Sequence, residues 1–175
     1  VDTRGPKITS LDPTPNTLAT VVNGQVLVTV GFDENVDPAS INTSSIRVIR
    51  SGGDGVFGNA NDVPLTIDPA TLVLNYVKTP KGAMTVTFSV VGSGTNTLAN
   101  DEYRVSILGM GSTPVIDIAG NALDGEYSGV FPTGDDSVGG DFNPSFVVFD
   151  PLCQNNLFVG SQVTNPTAAV GSRAN

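Results

Sequence analysis

Gln25-Val26-Leu27-Val28-Thr29-Val30-Gly31-Phe32 decides the reading of this chain. Val26, Val28 and Val30 recur at a period of two, and Phe32 follows in phase. Successive side chains of an extended strand point to opposite faces, so this run predicts a strand with one buried face. Asn23-Gly24 stands just before it, and both residue types tolerate the positive φ that a tight hairpin turn demands.

The same pattern recurs on either side. Residues 45–50 alternate apolar and basic side chains, with Ile49 blurring the register. Residues 71–77, 84–90 and 102–108 alternate cleanly, and residues 7–11 supply a first strand. Residues 142–149 supply a last one, with Phe146 and Val148 in phase. Pro13, Pro15, Pro38, Pro69 and Pro80 fall between these runs, where a missing N–H does no harm. Residues 38–41 and 118–121 hint at helix, each for a single turn. Seven or more strands with frequent turns predict an all-β, antiparallel sandwich, with a small closed barrel as the alternative. Residues 1–150 form that module, and residues 151–175 are a polar, turn-rich C-terminal extension.

Composition narrows the function. The 175 residues carry a net charge of −9, and the sequence pI is near 4.1. Phosphate backbones and anionic lipid surfaces both select basic footprints, so nucleic acid is excluded as a partner and electrostatic docking to lipid is disfavoured. No run approaches the ~20 apolar residues of a helical membrane span. The chain starts on polar residues, Val1-Asp2-Thr3-Arg4, as expected of a mature product after cleavage or of an excised module. Histidine is absent and Cys153 is the one cysteine, so histidine-based triads, internal disulfides and ordinary zinc sites are excluded. Carboxylate pairs exist, but tryptophan is absent and the three tyrosines offer few sugar platforms. The chain therefore reads as a non-enzyme.

Two stretches break the strand rhythm. Residues 51–62 (SGGDGVFGNAND) and 132–141 (PTGDDSVGGD) are rich in Gly, Asp and Asn, and long loops of this kind tend to carry function. Calcium takes several oxygen donors from carboxylates, amides and carbonyls on a turning backbone. Asp54, Asn59, Asn61 and Asp62 are the first candidate ligand set, and Asp135, Asp136 and Asp141 the second. Turn chemistry alone also recruits Asn and Asp, and the EF-hand order is missing. An internal isopeptide bond from Lys7 or Lys78 requires a buried lysine, an asparagine and an acid together, which sequence does not display.

Three blocks resemble the bacterial Ig-like domain of S-layer proteins and large surface adhesins. Asp12-Pro13-Thr14-Pro15 follows the first strand, as that family's opening segment does. Val28-Thr29-Val30-Gly31-Phe32-Asp33-Glu34-Asn35-Val36-Asp37-Pro38-Ala39-Ser40-Ile41 is similar to its "V-x-F-S-E-x-V-D-P-A-S-I" block, with Asp33 where Ser is usual. Tyr103-Arg104-Val105-Ser106-Ile107 and Asp117-Ile118-Ala119-Gly120-Asn121-Ala122-Leu123 are similar to its closing "Y-x-V-x-I…D-x-A-G-N-x-L" block. The resemblance implies an Ig-like β-sandwich, a secreted or bacterial-surface location and no catalytic residues. In a bacterial protein the sequon Asn42-Thr43-Ser44 is expected to be silent.

An Ig-like sandwich has open edges that accept added strands. Within the extension, Leu157, Phe158, Val159 and Val163 belong to a candidate strand over residues 157–164. That strand either packs on its own sandwich or joins the sheet of a neighbour. The expected partners are copies of the chain itself or adjacent Ig-like modules. The leading function is a structural subunit of an S-layer, fibre or matrix filament. The alternatives are a stalk module of a multi-domain adhesin and a calcium-dependent carbohydrate- or protein-binding module.

Overall fold

The computed structural model describes residues 2–76, 82–92 and 98–149. Its strands are β1 (Ile8–Asp12), β2 (Leu18–Ala19), β3 (Gln25–Phe32), β4 (Ile46–Arg50), β5 (Val63–Leu65), β6 (Val73–Tyr76), β7 (Met84–Val91), β8 (Asp101–Ile107) and β9 (Ser145–Val148). One sheet has four strands in the order β1-β3-β7-β6, and the other five in the order β2-β9-β8-β4-β5. All neighbours run antiparallel except β2 and β9, which are parallel.

The period of two explains the layering. In β3 the buried side chains are Val26, Val28, Val30 and Phe32, and in β7 they are Met84, Val86, Phe88 and Val90. These two strands pair over their whole length, from Gln25 opposite Val91 to Phe32 opposite Met84. The facing sheet contributes Ile46, Val48, Tyr103, Val105, Ile107, Phe146 and Val148 to the same core. Each fully buried aliphatic or aromatic side chain stabilises the fold by roughly 1.5–3 kcal/mol. The stacked rings of Tyr103 and Phe146, 5.9 Å apart, tie β8 to β9. β8, which carries Tyr103, lies in the middle of its sheet.

The turns follow their residues. Asn23 and Gly24 both have positive φ, and Val22 and Gln25 exchange hydrogen bonds across them, so the pair launches β3. Pro38–Ser40 forms one 3-10 turn capped by Asp37, as expected, and Pro69–Thr71 forms another capped by Asp68. The latter replaces the first residue of the strand expected over 71–77. Residues 118–121 form a turn instead of a helix, with Gly120 at φ +91°. Strands β2 and β5 are two and three residues long, too short to show a period. Pro64 sits inside β5, which is tolerated because β5 is an edge strand.

Strand directions sort the connections between two poles. β1, β4 and β9 start at the pole where β3 and β8 end. This entry pole carries residues 2–7, 33–45 and 108–144. The exit pole carries residues 51–62 and the end of β9. The module therefore receives its chain at one end and releases it at the other.

Candidate functional site

The entry pole concentrates the charge. Asp2, Glu34 and Asp117 come from three distant segments, yet their carboxylate oxygens lie within 4.8 Å of one another. Two features of the chain bring them there. Val36 bridges Asp117, and the Asp37 amide donates to the Ile116 carbonyl, so the segment after β3 lies against the closing block. Asp117 is itself pinned, accepting from the Asn121 amide at 2.7 Å and from Asn121 Nδ2 at 2.8 Å. Burial pushes the Glu34 carboxyl up to about 7, helped by the neighbouring charges of Asp33, Asp117 and Asp2. The three carboxylates line a groove of about 620 Å³ together with Arg4 and Asn35. Asn35 Oδ1 is buried there without a hydrogen-bond partner among the described residues.

Beside this groove lies a second polar assembly. Lys7 Nζ stands 3.3 Å from Asp124 Oδ2 and 2.8 Å from Asp136 Oδ1. The Asp124 carboxylate is buried and accepts the amides of Asp135 at 2.9 Å and Asp136 at 3.0 Å. Thr133 accepts from the Ile8 amide and donates its hydroxyl to the Asp124 carbonyl. Hydrogen bonding to Asp136 holds Lys7 above its ordinary value, and Lys7 in turn holds Asp136 below its own.

The two sequence-level calcium sets meet different fates. Asp135 lies with Asp124 and Glu126, their carboxylate oxygens within 4.8 Å of one another. Asp136 instead faces Lys7, and Asp141 turns away to accept the amides of Gly109 and Met110. The second set is thus divided among three tasks. The first set stays together at the exit pole but is engaged internally. Asp54 accepts from the Val56 amide and from Asn59 Nδ2, Asp62 accepts from the Gly58 amide, and Asn59 accepts from the Asn61 amide. Hydrogen bonding from Val56 holds the Asp54 carboxyl below its ordinary value. The Asp62 Oδ1 atom is buried and has no partner among the described residues. Leu157, Phe158, Val159 and Val163 lie outside the described residues, as do Lys78 and Cys153.

Sequence reasoning missed the meeting of Asp2, Glu34 and Asp117 and the part of Asp124 and Glu126. Asp117 caps its own turn through Asn121, but its approach to Glu34 and Asp2 is a tertiary event. A signal did exist, because Asp33-Glu34 and Asp117 stand in the two blocks most similar to a known family.

Two facing sheets, polar turns at both poles and a chain path from one pole to the other define an Ig-like β-sandwich module. The family model for the bacterial Ig-like domain matches residues 2–133, and the chain belongs to that family. No curated protein and no solved structure matches the chain. Modules of this family are generally non-catalytic and typically extracellular or on the cell surface. The match stops before β9, yet β9 lies between β2 and β8, so residues beyond it complete the sandwich. Among the described residues no helix is long and apolar enough to cross a membrane.

Proposed function

We propose that the chain is a non-catalytic assembly module of a bacterial S-layer, surface fibre or matrix filament. It stacks in line with copies of itself or with other Ig-like modules. The observation that carries this reading is the path of the chain, which enters at one pole and leaves at the opposite one. Stacking along that axis needs no reversal of direction.

Strand addition supplies the joint in this reading. Among the described residues β6 is an edge of the four-stranded sheet, and it exposes Val73 (49%) and Tyr76 (46%). Residues 157–164 of a neighbour are the donor, contributing backbone hydrogen bonds to that edge. Head-to-tail addition that does not close grows a filament. The test is electron microscopy and light scattering of the whole chain beside a form lacking residues 151–175. Polymers from the whole chain and monomers from the shortened form are expected. Identical assembly of the two would remove strand donation.

A second reading is that calcium rigidifies the junction with a preceding module. The gathering of Asp2, Glu34 and Asp117 around one groove, with Asn35 Oδ1 unpartnered beside it, favours this. A hard cation would neutralise three crowded carboxylates and take oxygen ligands only. Calorimetric titration tests it, and heat that persists in Glu34→Gln would sink it.

A further inference from the structure

We propose that Lys7 and Asp124 become joined by an intramolecular isopeptide bond, with the Asp124 carboxyl in place of the asparagine expected from sequence, the lysine only part-buried, and Glu126 carrying a proton. The two residues are held face to face by the backbone. Lys7 and Asp124 form a parallel β-bridge, and the Asp124 amide donates to the Pro6 carbonyl at 3.0 Å. This fixes the Lys7 side chain over the Asp124 carboxyl, with Nζ 3.3 Å from Oδ2. Reactive groups held at such a distance behave as an intramolecular pair of high effective concentration. The Asp124 side chain is 3% exposed and that of Lys7 19%, so the carboxyl is shielded from bulk water and the amine reaches it from the rim.

The surroundings suit the reaction. The Asp135 amide donates to Asp124 Oδ1 at 2.9 Å, which places a fixed N–H where negative charge develops during attack on Cγ. Glu126 is hydrogen-bonded to Asp124, and burial together with the nearby carboxylates holds it above its ordinary value. A carboxyl so placed can take up a proton and return it. Two glycines make the room. A Cβ at Gly134 would collide with the Asp124 carboxyl, and one at Gly140 with the Glu126 carboxyl. Both carboxyls are therefore seated against bare backbone. The competing partner of Lys7 is Asp136, whose side chain is 87% exposed, so water screens that contact.

The chemistry balances without any co-reactant. The Lys7 ammonium first yields one proton to Oδ2 of Asp124, leaving a neutral amine beside a neutral carboxyl. The amine lone pair forms the Nζ–Cγ bond, and the C=O electrons move onto Oδ1, under the Asp135 amide. Asp136 Oδ1, 2.8 Å from the nitrogen, takes up its second proton, while Glu126, hydrogen-bonded to the Asp124 carboxyl, gives one to the departing Oδ2 hydroxyl. The Cγ–Oδ2 bond breaks, water leaves and Oδ1 regains its double bond; the exposed Asp136 sheds its proton to solvent and Glu126 regains one, so both return to their starting states. The third ammonium proton stays on the amide nitrogen.

Intact-mass spectrometry of the whole purified chain tests this. The expected mass is one water below the sequence mass. Trypsin should fail to cut after Lys7, and the peptide containing Lys7 should be found linked to the one containing Asp124. Lys7→Arg keeps the ion pair and the fold but lacks an acylable amine, and should show the full sequence mass. Asp124→Asn should lose ammonia in place of water. Glu126→Gln should show the full sequence mass. A wild-type chain of full mass with a free Lys7 peptide would overturn the proposal. So would water loss retained in Lys7→Arg, which would assign it to cyclisation at Asp124-Gly125 instead. Linkage in Glu126→Gln to the wild-type extent would remove Glu126 from the reaction.

Discussion

The two glycine- and aspartate-rich loops have nearly the same composition and opposite relations to the sandwich. Residues 51–62 close mainly on themselves. Asp54, Asn59 and Asp62 spend their oxygens on amides of the same loop, and the loop is tied down at its root. There the buried Ser51 accepts from the Gly55 amide and donates to Asp101, which also meets Arg50 at 3.1 Å. Arg104 lies 4.2 Å over the Phe57 ring and adds a second tether. Residues 132–141 close instead on the body of the module, through Thr133, Asp124 and Lys7. Composition selects a loop. Whether the loop is a fixture or an appendage depends on a buried acceptor elsewhere in the chain.

The largest expected effect tests that acceptor. Asp124→Ala strips Lys7 and two amides of a buried carboxylate, which should cost about 3–5 kcal/mol in chemical denaturation. A loss below about 1 kcal/mol would show that the second loop is no more anchored than the first. Gly134→Ala should come next, at about 2–4 kcal/mol. Its φ of +94° strains any side chain, and its Cβ would also strike Asp124.

Ser51→Ala removes the root of the first loop and should cost about 1–2 kcal/mol, because a buried carboxylate and an amide each lose a partner. Gly58→Ala is the matched control for Gly134→Ala. Its φ of +95° is equivalent, but open space surrounds it, so only the backbone term of about 1 kcal/mol remains. Equal melting-temperature losses for the two glycine variants would erase the contrast between the loops.

The smallest effect concerns the entry-pole carboxylates and depends on pH. Glu34 holds its proton more tightly in the folded state, at about 7 against an ordinary 4.5. Stability is therefore lost as pH rises across that interval. After solvent screening the loss should be about 1 kcal/mol. Glu34→Gln should flatten the curve of melting temperature against pH between those values, and an unchanged slope would place the pH dependence elsewhere.

The strands were legible wherever a buried face ran long enough to repeat. β3, β7 and β8 show their period over seven or eight residues, and β4 does so over five. β6 alternates in sequence, yet as an edge it buries little beyond part of Leu74. β2 and β5 carried no readable pattern because their membership is set by β9 and β4 beside them. The polar sites were less legible for a related reason. Asp141 shares a loop with Asp135 and Asp136 but serves Gly109 and Met110, across the chain. Asp2, Glu34 and Asp117 meet only once the closing block has docked beside the first strands. Local composition cannot encode such meetings.

The parallel pairing of β2 with β9 also governs how the module carries tension. A pull that draws the two ends apart loads β9 lengthwise against β2, and it loads the backbone bridge of Lys7 with Asp124, also parallel, in the same direction. Both contacts are then loaded in shear, so their hydrogen bonds must fail together instead of unzipping one by one. A row of such modules would resist stretching at the seams where each chain enters and leaves, while the edges formed by β5 and β6 lie off the line of load.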